Sequence, residues 1–383
     1  MLPDGGNPHP VRLVRPTAAP LSALAQVGRR VFFDATLSSS GRLSCASCHS
    51  PVHAYGPPGE RAVMSGGATL TREGLRAVPS LRYLERQPNF SIGPDDATDD
   101  ERAKPLVPAD ASAAGLVPQG GLFWDGRTDT LQSQALEPLL NPFEMDGGSV
   151  ERVAAKLRHA PYAGALVQLF GTGVLRSPRA LVGEALSAVS RFQIEDPSFH
   201  PYASKYDAWL EGKARFTPAE ARGFRLFNEP KGANCAGCHV DRPTPDGLPP
   251  LFTDHQYEAL GVPRNRALAI NRDPAFFDLG LCGPVRRDLR AEPRFCGMFV
   301  TPSLRNVATR RAFFHNGFYR TLRGAVDFYV YRPATIDDLP PRYRANVDVT
   351  DPPFGRPPGA APVLTPADER DLIAFLRTLT DER

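Results

Sequence analysis

The chain reads as a mainly α-helical protein of two similar domains with long loops. Three observations predict this. The pentad C-x-x-C-H occurs twice, as Cys45-Ala46-Ser47-Cys48-His49 and as Cys235-Ala236-Gly237-Cys238-His239. Apolar residues around each pentad recur at helical spacing, and no run alternates as a half-buried strand would. Forty prolines and thirty-three glycines in 383 residues require much loop. That length exceeds one ordinary small domain, so the two pentads suggest an N-terminal domain at 1–200 and a C-terminal domain at 201–383.

C-x-x-C-H is the attachment signal of c-type haem: two thiols add to the haem vinyl groups, and the adjacent histidine ligates the iron. A structural zinc site needs four closed ligands, and a thioredoxin-like motif needs no following histidine. Two complete pentads make both alternatives poor. Each half is therefore expected to be cytochrome c-like and to carry one covalently bound haem c.

The formal charge is only +3, with acids and bases interspersed, which gives no reason to expect nucleic acid or an anionic membrane as partner. No apolar run has the length of a membrane span. The start, MLPDGGNPHPVRL, lacks the layout of a signal peptide, although haem attachment of this kind belongs outside the bacterial cytoplasm. A periplasmic protein whose signal has been removed is the expectation. Six cysteines less the four of the pentads leave Cys282 and Cys296. In an oxidising compartment they would form a disulfide contributing about 3 kcal/mol, the alternative being two unpaired buried thiols.

Residues 1–19 read as a flexible or surface-draped arm. Leu21, Leu24, Val27, Val31 and Phe32 then have helical spacing, with Gly28 among them, and lead into the first pentad. Before the second pentad, Thr217-Pro218-Ala219-Glu220 is a capping box with proline at the first helical position, followed by Gly223, Phe224, Leu226 and Phe227. G-x-x-[VL]-F thus precedes both pentads. The parallel continues: Pro79-Ser80-Leu81-Arg82 answers Pro302-Ser303-Leu304-Arg305, Phe123-Trp124-Asp125-Gly126 answers Phe314-His315-Asn316-Gly317, and Thr130-Leu131 answers Thr321-Leu322. The chain is an internal duplication. The first copy carries about thirty extra residues, Ile92 to Gly121, read as a surface loop. Helical patterns fill 150–195, and segment 196–216 connects the halves. A Pro-rich stretch follows Tyr331, and a last helix capped by Thr365-Pro366 packs Leu372, Ile373, Leu376 and Leu379.

The duplication bears on the irons. A filled sixth position favours electron transfer, and an open one admits peroxide. Fourteen residues after His315 stands Tyr329; fourteen after the matching Trp124 stands Pro138, which has no side-chain donor. If Tyr329 faces the second haem, its counterpart leaves the first open, and the haems are unequal. Spacing alone keeps Met298 open against Tyr329 or Tyr331, and offers Met64 and Met145 only weakly at the first haem.

From about Leu21 to Thr380 the chain resembles the bacterial di-haem cytochrome c peroxidase and MauG superfamily, through FFDATLSSSGRLSCASCH, FWDGRTDTLQSQALEPLLNPFEM, CAGCH, TPSLRNVATRRAFFHNG and TLRGAVDFY. The resemblance implies a high-spin, peroxide-reactive first haem on His49 and a low-spin second haem on His239 with Tyr329 as sixth ligand, the MauG-like choice. It places Trp124 between the haems, Gln134 and Pro138 on the open distal pocket, and Glu144 as its acid/base. Read alone, Trp124 would be core packing and Glu144 a helix-end carboxylate. A carboxylate beside an open haem can take a proton from peroxide and return it to the leaving oxygen. No histidine stands near Ser65, where peroxidases that need reductive activation have one. The resemblance also implies one calcium ion between the domains, held by an Asn before P-S-L and by carbonyls near Arg310 and Ala312; here the Asn position is Ala77.

DLGLCGP with CGMF, and LPPRYRANVDV to LRTLTD, are most similar to MbnH-type members from methanobactin and copper operons, which convert a partner protein's tryptophan to kynurenine. The leading expectation is a periplasmic oxidoreductase that uses hydrogen peroxide to reach a high-valent two-haem state. It would then oxidise an aromatic side chain of a secreted, copper-binding partner. The alternatives are a peroxidase fed by a small cytochrome or cupredoxin, and an electron carrier with both irons closed. Trp209 is expected to pack.

Overall fold

The computed structural model describes residues 1–94, 116–332, 336–355 and 361–382. Its helices are α1 (Ala23–Phe32), α2 (Cys45–Cys48), α3 (Leu131–Leu140), α4 (Val150–Arg158), α5 (Ala163–Phe170), α6 (Pro178–Glu195), α7 (Lys205–Leu210), α8 (Pro218–Phe227), α9 (Leu322–Val330) and α10 (Pro366–Arg377). Among the described residues, strands form three two-stranded antiparallel ribbons: β1 (Ser65–Gly66) with β2 (Arg72–Glu73), β3 (Ser91–Pro94) with β4 (Leu116–Gln119), and β5 (Tyr257–Glu258) with β6 (Phe299–Val300). The fold is mostly helical, and three short ribbons were not expected.

Each half is built on a pair of closely packed helices, α1 on α6 and α8 on α10. The glycine of each G-x-x-[VL]-F motif makes the approach. A Cβ on Gly28 would stand 1.8 Å from the carbonyl oxygen of Ala188, and one on Gly223 would stand 2.0 Å from that of Asp371. One core gathers Val27, Phe32, Leu157, Leu186, Phe192 and Phe199; the other gathers Tyr206, Trp209, Phe227, Phe252, Phe375 and Leu379. The caps are as the sequence reads. Thr217 and Glu220 cap α8 reciprocally, Thr365 and Asp368 do so for α10, and Thr130 and Thr321 cap α3 and α9.

The duplication extends to individual bonds. Ser80 Oγ donates to the Ala54 carbonyl at 2.6 Å, and Ser303 Oγ to that of Leu251 at 2.5 Å. Both aromatic turns put their leading phenylalanine in the left-handed region, Phe123 at φ 68° and Phe314 at φ 61°.

Three long segments are more ordered than their composition suggests. The N-terminal arm is strapped to the second half: the Gly5 carbonyl accepts from Phe216 N and Trp209 Nε1, both at 3.0 Å, and Arg15 forks onto Glu211. Trp209 stacks on Phe216 at 4.7 Å, a packing role. The connection 196–216 buries Phe199, Tyr202, Tyr206 and Trp209. The ends of the Ile92–Gly121 insertion pair as β3 and β4, and Gly120 is bound to the second half by His255 O and the Tyr257 hydroxyl. The middle of that loop, 95–115, and parts of the Pro-rich stretch, 333–335 and 356–360, lie outside the described residues.

Candidate functional site

Positions i, i+3 and i+4 of a helical turn share one face, so each pentad presents both thiols and the imidazole to one side. In the first, His49 N donates to the Cys45 carbonyl at 2.9 Å; in the second, His239 N donates to that of Cys235 at 2.8 Å. The ring nitrogen Nδ1 of His49 is held by the Tyr55 carbonyl at 3.1 Å, and that of His239 by the Phe252 carbonyl at 2.9 Å. With Nδ1 so engaged, Nε2 is left to face a metal. Burial lowers both imidazoles to about 4, which keeps them neutral as ligation requires. None of the four pentad cysteines is disulfide-bonded, so neither pair is used up in a bridge.

Beside the second pentad lies a cavity of about 350 Å³, lined by Cys235, Cys238, His239, Leu304, Val326 and Tyr329 and reaching Trp124 and Gln134 of the first half. Two thiols, a neutral imidazole and an apolar hollow are the donor set and shape that a c-type haem takes. Tyr329 sits on the wall of this cavity, its ring against Phe354 at 5.6 Å, and burial raises its phenol. Met298 packs instead on the cluster of Tyr257, Leu281, Cys282, Phe295 and Cys296, and Tyr331 is 49 % exposed. The structure thus brings Tyr329 to the hollow that His239 lines, and directs Met298 to another core.

Around the first pentad, Met145 is buried in the core, and Pro138 stands inside α3 one turn beyond Gln134. After α3 the Asn141–Glu144 turn carries Glu144 back toward Cys48, whose thiol feels its charge. Asn141 Nδ2 donates to Glu144 Oε1 at 3.0 Å. Burial, offset by Arg127 and reinforced by Glu137, raises this carboxyl to about 7. A carboxyl poised there can both accept and return a proton near neutrality.

Trp124 joins the halves. Its Nε1 donates to the Ala77 carbonyl at 2.7 Å, Ala77 N donates to the His315 carbonyl at 2.7 Å, and Val300 N donates to Trp124 O at 3.1 Å. The indole is buried and held from both sides. Next to it, Asp125 accepts from Arg76 and Arg127, each at 2.7 Å, while Arg76 also forks onto Asp278 at 2.7 and 2.8 Å. Sequence reading missed this junction, although Asp125 belongs to the duplicated turn and Arg127 follows within it. His315 stacks flat on Phe299 at 3.6 Å with its Nε2 3.4 Å from Asp338.

Cys282 and Cys296 are disulfide-bonded, with Cα atoms 4.9 Å apart. The calcium ion implied by the resemblance would lack one of its expected ligands here. Calcium takes six to eight oxygens, whereas Ala77 offers no side-chain oxygen and its carbonyl already accepts from Trp124. Among the described residues no helix is long and apolar enough to cross a membrane.

Comparison with known proteins identifies the family. The signature of the family described as "Di-haem cytochrome c peroxidase" matches residues 22–215. The methylamine utilization protein MauG of Paracoccus denitrificans is 34% identical over 377 residues, covering 94% of this chain and 89% of that protein. Cytochrome c551 peroxidase of Nitrosomonas europaea is 28% identical, over 83% of this chain and 75% of its own. The crystal structure of the diheme peroxidase BthA from Burkholderia thailandensis superposes with a TM-score of 0.81 at 37% identity, over 98% of this chain and 94% of that one. A MauG-like protein associated with microbial copper homeostasis gives a TM-score of 0.64 at 28% identity, over 98% and 96%. The chain is an oxidoreductase of the di-haem cytochrome c peroxidase family, in its MauG-like superfamily.

Proposed function

We propose that this enzyme uses hydrogen peroxide to oxidise an aromatic side chain, a tryptophan, of a secreted partner protein in the periplasm. Two domains, 1–200 and 201–383, would each hold one covalently bound haem c through Cys45, Cys48 and His49 and through Cys235, Cys238 and His239. When bound, the haem pair supplies the iron redox chemistry by which peroxide is reduced and two oxidising equivalents are stored. The observation that carries the reading is an inequality between the two halves. Tyr329 lies on the cavity that His239 lines, while the corresponding place on α3 is Pro138, with no donor.

The residues of the first pocket have distinct tasks in this reading. Glu144 takes a proton from one peroxide oxygen and delivers it to the other as that oxygen leaves in water. Gln134, buried on α3 one turn before Pro138, orients the peroxide. Trp124, fixed by Ala77 and Val300, holds an aromatic ring on the path between the haems. The Cys282–Cys296 disulfide suits an oxidising compartment.

Conversion of tryptophan to kynurenine for a copper site is the narrower form of the proposal. It draws on the C-terminal resemblance and on the likeness to the copper-associated MauG-like protein. A second reading, peroxide removal with electrons from a small cytochrome or cupredoxin, is favoured by the higher identity to a protein named as a diheme peroxidase. Low-temperature electron paramagnetic resonance of the resting diferric enzyme, before and after one equivalent of peroxide, tests the pocket inequality. One high-spin and one low-spin signal, both lost on peroxide, are expected. Two low-spin signals indifferent to peroxide would overturn it. Rapid turnover of a small donor protein, with no partner oxidised, would select the second reading.

A further inference from the structure

Several buried arginines bind a carboxylate: Arg305 forks onto Asp207 at 2.9 and 2.8 Å, Arg76 onto Asp278, and Arg286 onto Asp288. Arg310 differs. Its Nη2 donates to the Val78 carbonyl at 2.6 Å, and its buried Nη1 has no hydrogen-bond partner. Among the described residues no carboxylate offsets its charge. A guanidinium stays protonated in proteins, and a buried ion without a counter-charge costs several kcal/mol. The missing anion therefore has to come from something the polypeptide holds.

The location narrows the choice. Arg310 lines the cavity between the halves, and its Nη1 lies 3.0 Å from where a Cβ on Gly56 would stand. Gly56 follows Tyr55, whose carbonyl holds the His49 ring, and His49 feels the Arg310 charge. Arg310 is thus a second-half cation aimed at the first half's haem site. A haem brings two carboxylates, its propionates, into such a hollow, and arginine is the side chain whose planar fork suits a carboxylate.

We propose that Arg310 pairs with a propionate of the haem held by Cys45, Cys48 and His49, so that the second half supplies the counter-charge of the first half's cofactor. The Nη2 bond of Arg310 is to Val78, the residue after Ala77, where the side-chain oxygen expected for calcium is missing; a fixed side-chain cation takes the role that an ion would have there. Arg310 is a positioning residue that tunes the first haem and takes no part in bond making. The proposal rests on the two-haem reading, which pyridine haemochrome analysis tests separately: fewer than two haems would sink that reading before this one is reached.

The test is spectropotentiometric titration of the haem-loaded enzyme, with the two haems resolved by their spectra, for the unaltered protein, Arg310→Lys and Arg310→Met. A nearby positive charge favours the ferrous form, so Arg310→Met should lower the ferrous-to-ferric ratio of the first haem at least tenfold at a given potential. That equals a drop of about 59 mV for one electron. Arg310→Lys should stay within about threefold, and the second haem should move less than the first. An unchanged first haem in Arg310→Met, an equal drop in both variants, or a larger shift at the second haem would overturn the proposal. The unaltered enzyme gives an independent check should Arg310→Met fail to load: exhaustive treatment with a calcium chelator should leave the first haem's potential where it was, and a fall would assign the charge to a metal ion instead.

Discussion

The two halves of the molecule are one scaffold used twice and finished differently. Both pack a glycine-bearing helix against a late helix, both hold a ring histidine by a loop carbonyl, and both brace P-S-L-R with a serine bond to that same loop. They part at the helix after the aromatic turn. In the second half α9 brings Tyr329 to the cavity; in the first, α3 brings Pro138, then turns at Asn141 to bring Glu144 back toward Cys48. The shared parts build the scaffold around each pentad. In the proposed reading the differing ones set whether an iron carries electrons or meets peroxide, so unequal reactivity would require few changes once the scaffold is duplicated.

The sharpest way to break the comparison is to remove the residue that makes the halves unlike. Tyr329→Phe should eliminate the low-spin resonance of the second haem and leave two high-spin signals; a spectrum identical to the unaltered enzyme would mean that the sixth ligand lies elsewhere. Next in size is the acid/base group of the first pocket. Glu144→Gln should slow the reaction with peroxide by about 10²–10⁴-fold in stopped-flow measurements. Because the Glu144 carboxyl is raised to about 7, its ionised, proton-accepting form grows as pH climbs through that value. The unaltered rate should therefore rise across that window, and the rise should vanish in Glu144→Gln. The smallest effect tests what the halves share. Gly28→Ala and Gly223→Ala each push a methyl into a backbone carbonyl, and each should cost roughly 1–3 kcal/mol in denaturant unfolding. Similar losses at both sites would support equivalent helix pairs; a loss at only one would show that the halves bear load differently.

Local information carried a large share of the outcome. Pentads, capping boxes, G-x-x-[VL]-F and P-S-L-R each act within a turn or two, where spacing along the chain dictates spacing in space. Residues 1–19 and 196–216 show the opposite case. Rich in proline and polar residues, they read as an arm and a connection, yet Gly5, Trp209 and Tyr206 build a core with residues some 200 positions away. Such pairing leaves no local periodicity to read. The insertion from Ile92 behaves similarly, since its ends are tied down by Tyr257 and His255 across the junction.

Of the candidate site, the attachment residues could be proposed from sequence because thiols and imidazole must sit at i, i+3 and i+4. The choice between Met298 and Tyr329 was not legible from spacing, since either lies at a workable distance along the chain, and only the family resemblance named Tyr329. It turns on which side chain reaches the His239 cavity, and the disulfide-linked cluster around Cys282 and Cys296 draws Met298 away. Arg310 and the Arg76–Asp125–Asp278 junction were invisible for a related reason. A charged residue in a sequence looks the same whether it is solvated or buried, and only packing between the two halves strips away the water that would otherwise satisfy it.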